Sequence, residues 1–487
     1  MELESEKGGS AASARGIIRR FMQLLSAQGV EGATSWGFFL YLARVDSTVY
    51  GEVMYALAAG SVAMTVIQFG LYYALVPALG RAERDKAPEI LNRANVIKLA
   101  LFVTSMLVVG GVSLYSGFSA QLGWILFLVS LGCGLEALAE TFFEEWRVRG
   151  FQAREARVRV ASSILSYGYG AMTAAFGFNP VLVSLFKLMS ALVRMGFGIA
   201  YYKKDYSVAL FLRPQWPVVY NMFRVALIFA LIEIFGIIYN KTNIFFLESA
   251  TGVKGVALYS AAWMLVDPIS ILASEQLLGW VVFPLLASLW WKNREKVGPL
   301  VRRTAQWLMA LAFPIMFLLH AENIPIMDLV YGKDYIDAAW IPQYLVWTIF
   351  LSFESNLFKY VMMVAGAVNL LLGFAAATTV LNFLFNVTLV HQYGLAGACL
   401  VIVFTKLVMT LLTFFYCRIR FQFLKEMDFL FPVALAGLSY GIFLLIKPVA
   451  SLHCAVAITL GFYFLILWRL GPTYLGKLPG KGASETG

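Results

Sequence analysis

Charge is scarce in this 487-residue chain: Asp, Glu, Lys and Arg make up 14% of it, against 60% hydrophobic residues. Soluble domains carry about 25% charged residues. That deficit, with a mean hydropathy of +0.75, excludes a water-soluble class and leaves a polytopic membrane protein. Histidine is almost missing. His320, His391 and His453 have no partner at metal-ligand spacing, so no metal site is expected. Cys133, Cys399, Cys417 and Cys454 are scattered through apolar stretches without CxxC spacing and read as small buried side chains, neither disulfides nor ligands. A GxxxxGK[ST] loop is absent, which removes ATP as the direct energy source, and no cofactor is implied. Asp46 and Glu52 are not spaced as an acidic metal pair, and the longest outer loop is about twenty residues. Both facts disfavour an enzyme such as a polytopic glycosyltransferase or polymerase. The opening is acidic and the apolar run from Ile17 is too long for a signal peptide, so residues 1–16 read as a disordered tail ahead of a retained helix.

What is present is a series of apolar runs, near 17–43, 52–79, 95–116, 122–143, 160–177, 180–202, 224–247, 256–288, 305–320, 341–365, 369–390, 395–417, 429–446 and 449–468. They predict an all-α integral membrane protein of about fourteen transmembrane helices. Basic residues support the partition: alternate loops hold 29 of the 38 Lys and Arg, which places both termini in the cytoplasm. The same rule accounts for the net charge of +10 without nucleic acid. Trp146 to Val160 and Leu289 to Arg303 mix aromatics with arginine and read as interfacial segments touching anionic membrane lipids.

The exceptions to the apolar rule carry the functional expectation. Val181 to Tyr202 is long enough to cross a bilayer, yet Lys187 and Arg194 lie within it, seven apart and on one helix face. Each costs about 2.5–3.5 kcal/mol at mid-membrane. A face that tolerates both is expected to line something wet or anionic. Lys406, Lys241 and Lys359 also fall within apolar runs, the last two near interfaces where they can snorkel. Among the buried acids Glu31, Glu136, Glu140, Glu233, Asp267, Glu275 and Glu354, a structural pairing with a buried cation is the competing reading for each. Glu136, Glu140 and Glu144 form a ridge, its lower part read as an interfacial ion-pair ladder. Glu31 lies between Gly29 and Gly32 and is the better pore-facing carboxylate. Asp267 precedes Pro268, a site for a hinge. Glu31, Asp267 and Glu275 are candidates for coupling to protons or sodium.

Two blocks repeat. Gly51, Tyr55 and Val76-Pro77-Ala78-Leu79, then a basic loop, are matched by Gly255, Tyr259 and Phe283-Pro284-Leu285-Leu286, then a basic loop. The offset of about 204 residues spans six helices, which implies two six-helix lobes about a pseudo-twofold axis along the membrane normal, with a substrate site between them. The expected layout is a cytoplasmic tail at 1–16, an N-lobe at 17–202, a cytoplasmic linker at 203–223 and a C-lobe at 224–417. A cytoplasmic loop at 418–428, two helices within 429–468 and a cytoplasmic tail at 469–487 complete it.

Four motifs in order carry a resemblance. They are Ala43-Arg44 to Tyr50-Gly51 with Phe69-Gly70-Leu71; Gly255 to Tyr259 with Phe283-Pro284; Tyr331-Gly332-Lys333-Asp334-Tyr335; and Asn386 with Tyr393-Gly394-Leu395-Ala396-Gly397-Ala398. From about Arg19 to Arg420 the chain resembles the polysaccharide-transport branch of the multidrug/oligosaccharidyl-lipid/polysaccharide exporter superfamily, the O-antigen-type flippases. The resemblance implies a MATE-like fold and a flippase in a bacterial inner membrane. Its cargo would be an undecaprenyl-pyrophosphate-linked oligosaccharide for O-antigen, capsule or exopolysaccharide, moved by alternating access and passed to a polysaccharide polymerase. Arg44, Lys187, Arg194 and Lys406 would contact the headgroup, with Lys241 and Lys359 next. Two departures stand out: Val45-Asp46-Ser47-Thr48 replaces Leu-Gly-Pro, and Asn240-Lys241-Thr242-Asn243 replaces the usual acidic residue of the seventh helix. A multidrug or metabolite extruder, or a lipid II-type exporter, of the same superfamily is the alternative; the surplus of buried cations speaks against organic-cation cargo.

Overall fold

The computed structural model describes residues 2–206, 215–271, 278–279, 282–422 and 430–474, and all regular structure among them is helical. It divides into two compact units, 1–248 and 249–487. The first holds α1 (Glu2–Val45), α2 (Ser47–Gln68), α3 (Tyr72–Arg81), α4 (Ala87–Tyr115), α5 (Ala120–Arg149), α6 (Gln152–Ala175), α7 (Pro180–Asp205) and most of α8 (Trp216–Ile271). The second continues with α9 (Phe283–Lys292), α10 (Val297–Ala321), α11 (Asn323–Tyr331), α12 (Trp340–Leu345), α13 (Trp347–Val364), α14 (Val368–Phe385), α15 (His391–Phe421), α16 (Leu430–Ile446) and α17 (Leu452–Tyr474).

Local chemistry sets the ends. Asp46 caps α2 by accepting from the amides of Thr48 and Val49 at 2.9 and 3.0 Å, which gives the departure from Leu-Gly-Pro a structural role. Asn179 caps α7 with Pro180 in its first turn. Gly150, at φ 82°, ends α5. The turn is tight, so the expected interfacial segment 146–160 comprises the end of α5 and the start of α6. The expected tail 1–16 differs as well: α1 runs back to Glu2 through a segment whose Glu, Leu, Lys and Ala are good helix formers.

Long apolar runs became membrane-length helices with breaks that periodicity does not show. Spans of sufficient length and apolarity run over Ser47–Gln68, Arg84–Tyr115, Ala120–Arg149, Pro180–Asp205, Trp216–Ser270, Arg294–Ala321, Val368–Phe421 and Leu452–Gly471. Two of these are interrupted, at Gly252 (φ 67°) and Gly394 (φ 55°). The hinge expected at Pro268 is not the break; α8 passes through it as helix. The run 52–79 is also cut, where Phe69 and Gly70 both take left-handed backbone (φ 49° and 57°) before α3. With α1, α6, α13 and α16 added, the helices accommodate the expected fourteen spans. α1 and α6 are less apolar than these spans, and the charge they carry builds the site below.

The repeat recurs as structure. A ten-residue helix, a three-residue 3₁₀ turn and a long helix follow one another at Tyr72–Arg81, Arg84–Lys86 and α4, and again at Phe283–Lys292, Arg294–Lys296 and α10. The unit boundary lies beyond the linker expected at 203–223, so the first part of α8 packs with the first unit: Phe69 stacks on Phe223 at 4.6 Å. A Cβ on Gly70 would stand 2.6 Å from the Ala230 amide nitrogen. Gly70→Ala should therefore cost about 1–3 kcal/mol, read as a lower thermal midpoint of the purified protein. In the second unit α16 and α17 close over α10, where Tyr463 donates to the Ala310 carbonyl at 2.6 Å.

Candidate functional site

Glutamates and cations spaced three, four or seven apart share a helix face. In the first unit this puts Glu136 and Glu140 on α5, Glu155, Arg159 and Ser162 on α6, and Lys187, Ser190 and Arg194 on α7, while α1 adds Glu31. The faces meet closely because position 132 of α5 is glycine: a Cβ there would be 2.7 Å from the Lys187 carbonyl carbon. One turn on, Glu136 accepts from the Lys187 ammonium at 2.6 Å and from Ser190 at 2.6 Å. Arg194 lies 3.7 Å from the same carboxylate, donates to Ser162 at 3.1 Å, and bonds Glu31. The other oxygen of Glu31 is 3.5 Å from Arg159. Arg159 continues to Glu140 at 2.9 Å and Glu155 at 2.8 Å, and Arg147 closes the array on Glu140 at 2.7 Å and on Glu155.

Signs thus alternate along the array: Lys187, Glu136, Arg194, Glu31, Arg159, Glu140 with Glu155, Arg147. Four cations face four carboxylates, so the cluster is neutral. Buried charge is tolerable only when compensated this way. The expectation of a bare cationic stripe on α7 is corrected: Lys187 and Arg194 are both paired. Access is uneven along the array. Glu155 and Glu136 are 1% and 4% exposed, whereas Glu31 reaches 24%. Glu31 is a carboxylate held by guanidinium groups of two helices, the arrangement that also suits a phosphate.

Elsewhere the expected residues do not join this array. Arg44 is exposed in the last turn of α1, about 20 Å along the helix from Glu31 at 1.5 Å per residue. Lys241 on α8, Asp267 beyond the Gly252 break and Lys359 on α13 are each half-buried. Glu275 lies outside the described residues. Lys406 on α15 has a different environment: its ammonium donates to Ser352 of α13 at 2.7 Å and stands 5.3 Å from the Trp263 ring. No carboxylate among the described residues lies within ion-pair distance of it. Trp263 in turn stacks on Tyr259.

Four residues escaped the sequence reading. Arg147 and Arg159 look like headgroup contacts in a basic loop but turn onto Glu140 and Glu155; the Glu155/Arg159 spacing of four was the available signal. Glu155 was not singled out either, whereas Glu140, expected in an ion-pair ladder with the arginine-rich segment, does pair with Arg147 and Arg159. Lys98, counted with the loop cations, is fully buried, 3.1 Å from the Ala137 carbonyl and 3.8 Å from Glu144. Among the described residues no cluster of His, Cys, Asp and Glu is suited to a metal ion.

Set beside solved structures, the fold is similar to "Lipid II flippase MurJ, inward closed conformation", with a TM-score of 0.72, 12% identity, and coverage of 93% of this chain and 98% of that one. It is also similar to a multidrug resistance MATE family transporter of the MOP superfamily in an outward-facing conformation (TM-score 0.53, 20% identity, 84% and 96% covered). A MOP superfamily transporter from Pyrococcus furiosus matches at 0.53 and 20% identity, over 83% of this chain and 95% of its own. No curated protein sequence matches. The class is therefore a multi-pass, all-helical membrane protein with the fold of the MOP exporter superfamily. Within it, the chain belongs to the family described as "Polysaccharide biosynthesis protein", whose model matches residues 17–290.

Proposed function

We propose that the protein is a flippase that carries a polyprenyl-pyrophosphate-linked oligosaccharide across a bacterial inner membrane, both termini lying in the cytoplasm. The observation that carries this reading is Lys406, an ammonium within a membrane helix with a hydroxyl and an indole face around it, which Asp267 influences only electrostatically, from beyond ion-pair distance. Such a cation is suited to an anionic group that comes and goes. The neutral array of the first unit offers a second contact by exchange: a phosphate oxygen takes the place of Glu31 between Arg194 and Arg159, and the freed carboxylate takes a proton or a cation. Glu31 and Asp267 remain the described candidates for that coupling, and a polysaccharide polymerase is the expected consumer of the translocated glycan. Membership of a polysaccharide biosynthesis family supports the cargo class.

Native mass spectrometry of the purified chain tests it. A retained polyprenyl-pyrophosphate glycolipid is expected, and proteoliposomes should translocate that lipid. Retention of phospholipid alone, with no glycolipid movement, would overturn the reading. A peptide-bearing lipid-linked disaccharide in its place would move the cargo to the lipid II type.

A further inference from the structure

Glu354 belongs to neither set of contacts. It lies on membrane helix α13, 3% exposed, and neither of its carboxyl oxygens has a hydrogen-bond partner. Among the described residues it is the one carboxyl group with both oxygens buried and unpartnered. Glu136, buried as deeply, shows the contrast with its lysine, serine and arginine. The helices packed against α13 carry Lys406 and Cys417 on α15, Arg302, Arg303 and His320 on α10, Lys292 at the end of α9 and Tyr344 on α12, and α13 itself carries Lys359. None of them bonds Glu354. α14 carries no such group.

Helical spacing places Glu354 one turn beyond Phe350 and two beyond Trp347 on a common face. Those two aromatics line a cavity of about 520 Å³ together with Met309, Phe313 and Met316 of α10. Past Glu354 the same face is sealed by Leu357 and Val361, 0% and 1% exposed. The carboxyl group thus lies where an open, apolar face gives way to a closed one. An ionised carboxylate without a donor at that depth is far costlier than the neutral acid, and leucine or methionine would fill the space at no electrostatic cost. A hard metal cation needs several oxygen donors, and Glu354 belongs to no cluster of acidic side chains among the described residues.

We propose that Glu354 is a proton-binding site: its carboxylate takes up H⁺ to become a carboxylic acid and returns it to water later in the cycle, which couples transport to a proton gradient. The proton site deepens the flippase reading and, for the coupling, rests on it. Deprotonation leaves a carboxylate in need of a cation, and Lys406 is held by Ser352, two residues back on the same helix.

The full-length protein in nanodiscs provides the first test. Infrared difference spectra should show the C=O stretch of a protonated carboxyl group in an apolar setting near neutral pH. That band should vanish in Glu354→Gln and persist, shifted, in Glu354→Asp. Identical wild-type and Glu354→Gln spectra would overturn the proton site. In proteoliposomes an imposed proton gradient should accelerate glycolipid translocation by the wild type and by Glu354→Asp, and leave Glu354→Gln unaffected. A gradient response retained by Glu354→Gln would overturn the coupling role. Because the infrared signal needs no cargo, a wild type that moves no glycolipid would count against the flippase reading and leave the proton site to be judged by its band.

Discussion

Glu136→Ala should lose about 3–5 kcal/mol of stability, because it strands the Lys187 ammonium and takes one of two carboxylates from the buried Arg194 guanidinium. The measurement is the thermal midpoint of purified protein, with the membrane-inserted yield as a second reading. A partner variant separates charge from packing. Glu136→Gln combined with Lys187→Met removes both members of this pair, keeps their volume, and should recover much of the loss, since uncharged replacements of a buried pair are often neutral. A Glu136→Ala protein that melts with the wild type would mean that the α5 and α7 charges do not hold one another as described.

The second large effect is on transport. Lys406→Met should slow glycolipid translocation by about 10- to 100-fold, the loss of one charge-assisted hydrogen bond worth 1.5–3 kcal/mol, while leaving the thermal midpoint unchanged or higher. No carboxylate within ion-pair distance is orphaned when this ammonium goes, so stability and function part company. Arg194→Ala should instead lower both, because Glu31 and Glu136 lose a partner as transport loses a phosphate contact. Rates in proteoliposomes alongside melting curves distinguish the two cases. Equal rates for Lys406→Met and wild type would remove the observation on which the cargo assignment rests.

How much of this was readable beforehand follows from which interactions are local. The bilayer sets a length for apolar runs, so the membrane-length helices announce themselves as such runs, whereas the short α11 and α12 do not. Caps such as Asn179-Pro180 are equally local. The break at Phe69 is not, since a phenylalanine with φ of 49° gives no compositional warning, and the packing of Gly70 against Ala230 becomes visible only with the fold. Partner assignment is the least local of all. Both cations of α7 were visible as anomalies, and so were Glu31 and Glu136, but Glu31 and Arg194 are 163 positions apart. Only the packing of α1, α6 and α7 decides that they meet. For Lys406 the useful signal was what its surroundings lacked, and that too required the helix beside it.

The alternation of signs in the first unit bears on how the chain enters the membrane. α7, translocating alone, would carry two unrelieved cations into hydrocarbon at about 2.5–3.5 kcal/mol each. By the time it leaves the ribosome, Glu31 of α1 and Glu136 of α5 have already been made and can receive it. The N-terminal helices thus act as a docking template for a later one, and deleting α1 should leave α7 stalled at the insertion machinery even though its own sequence is intact.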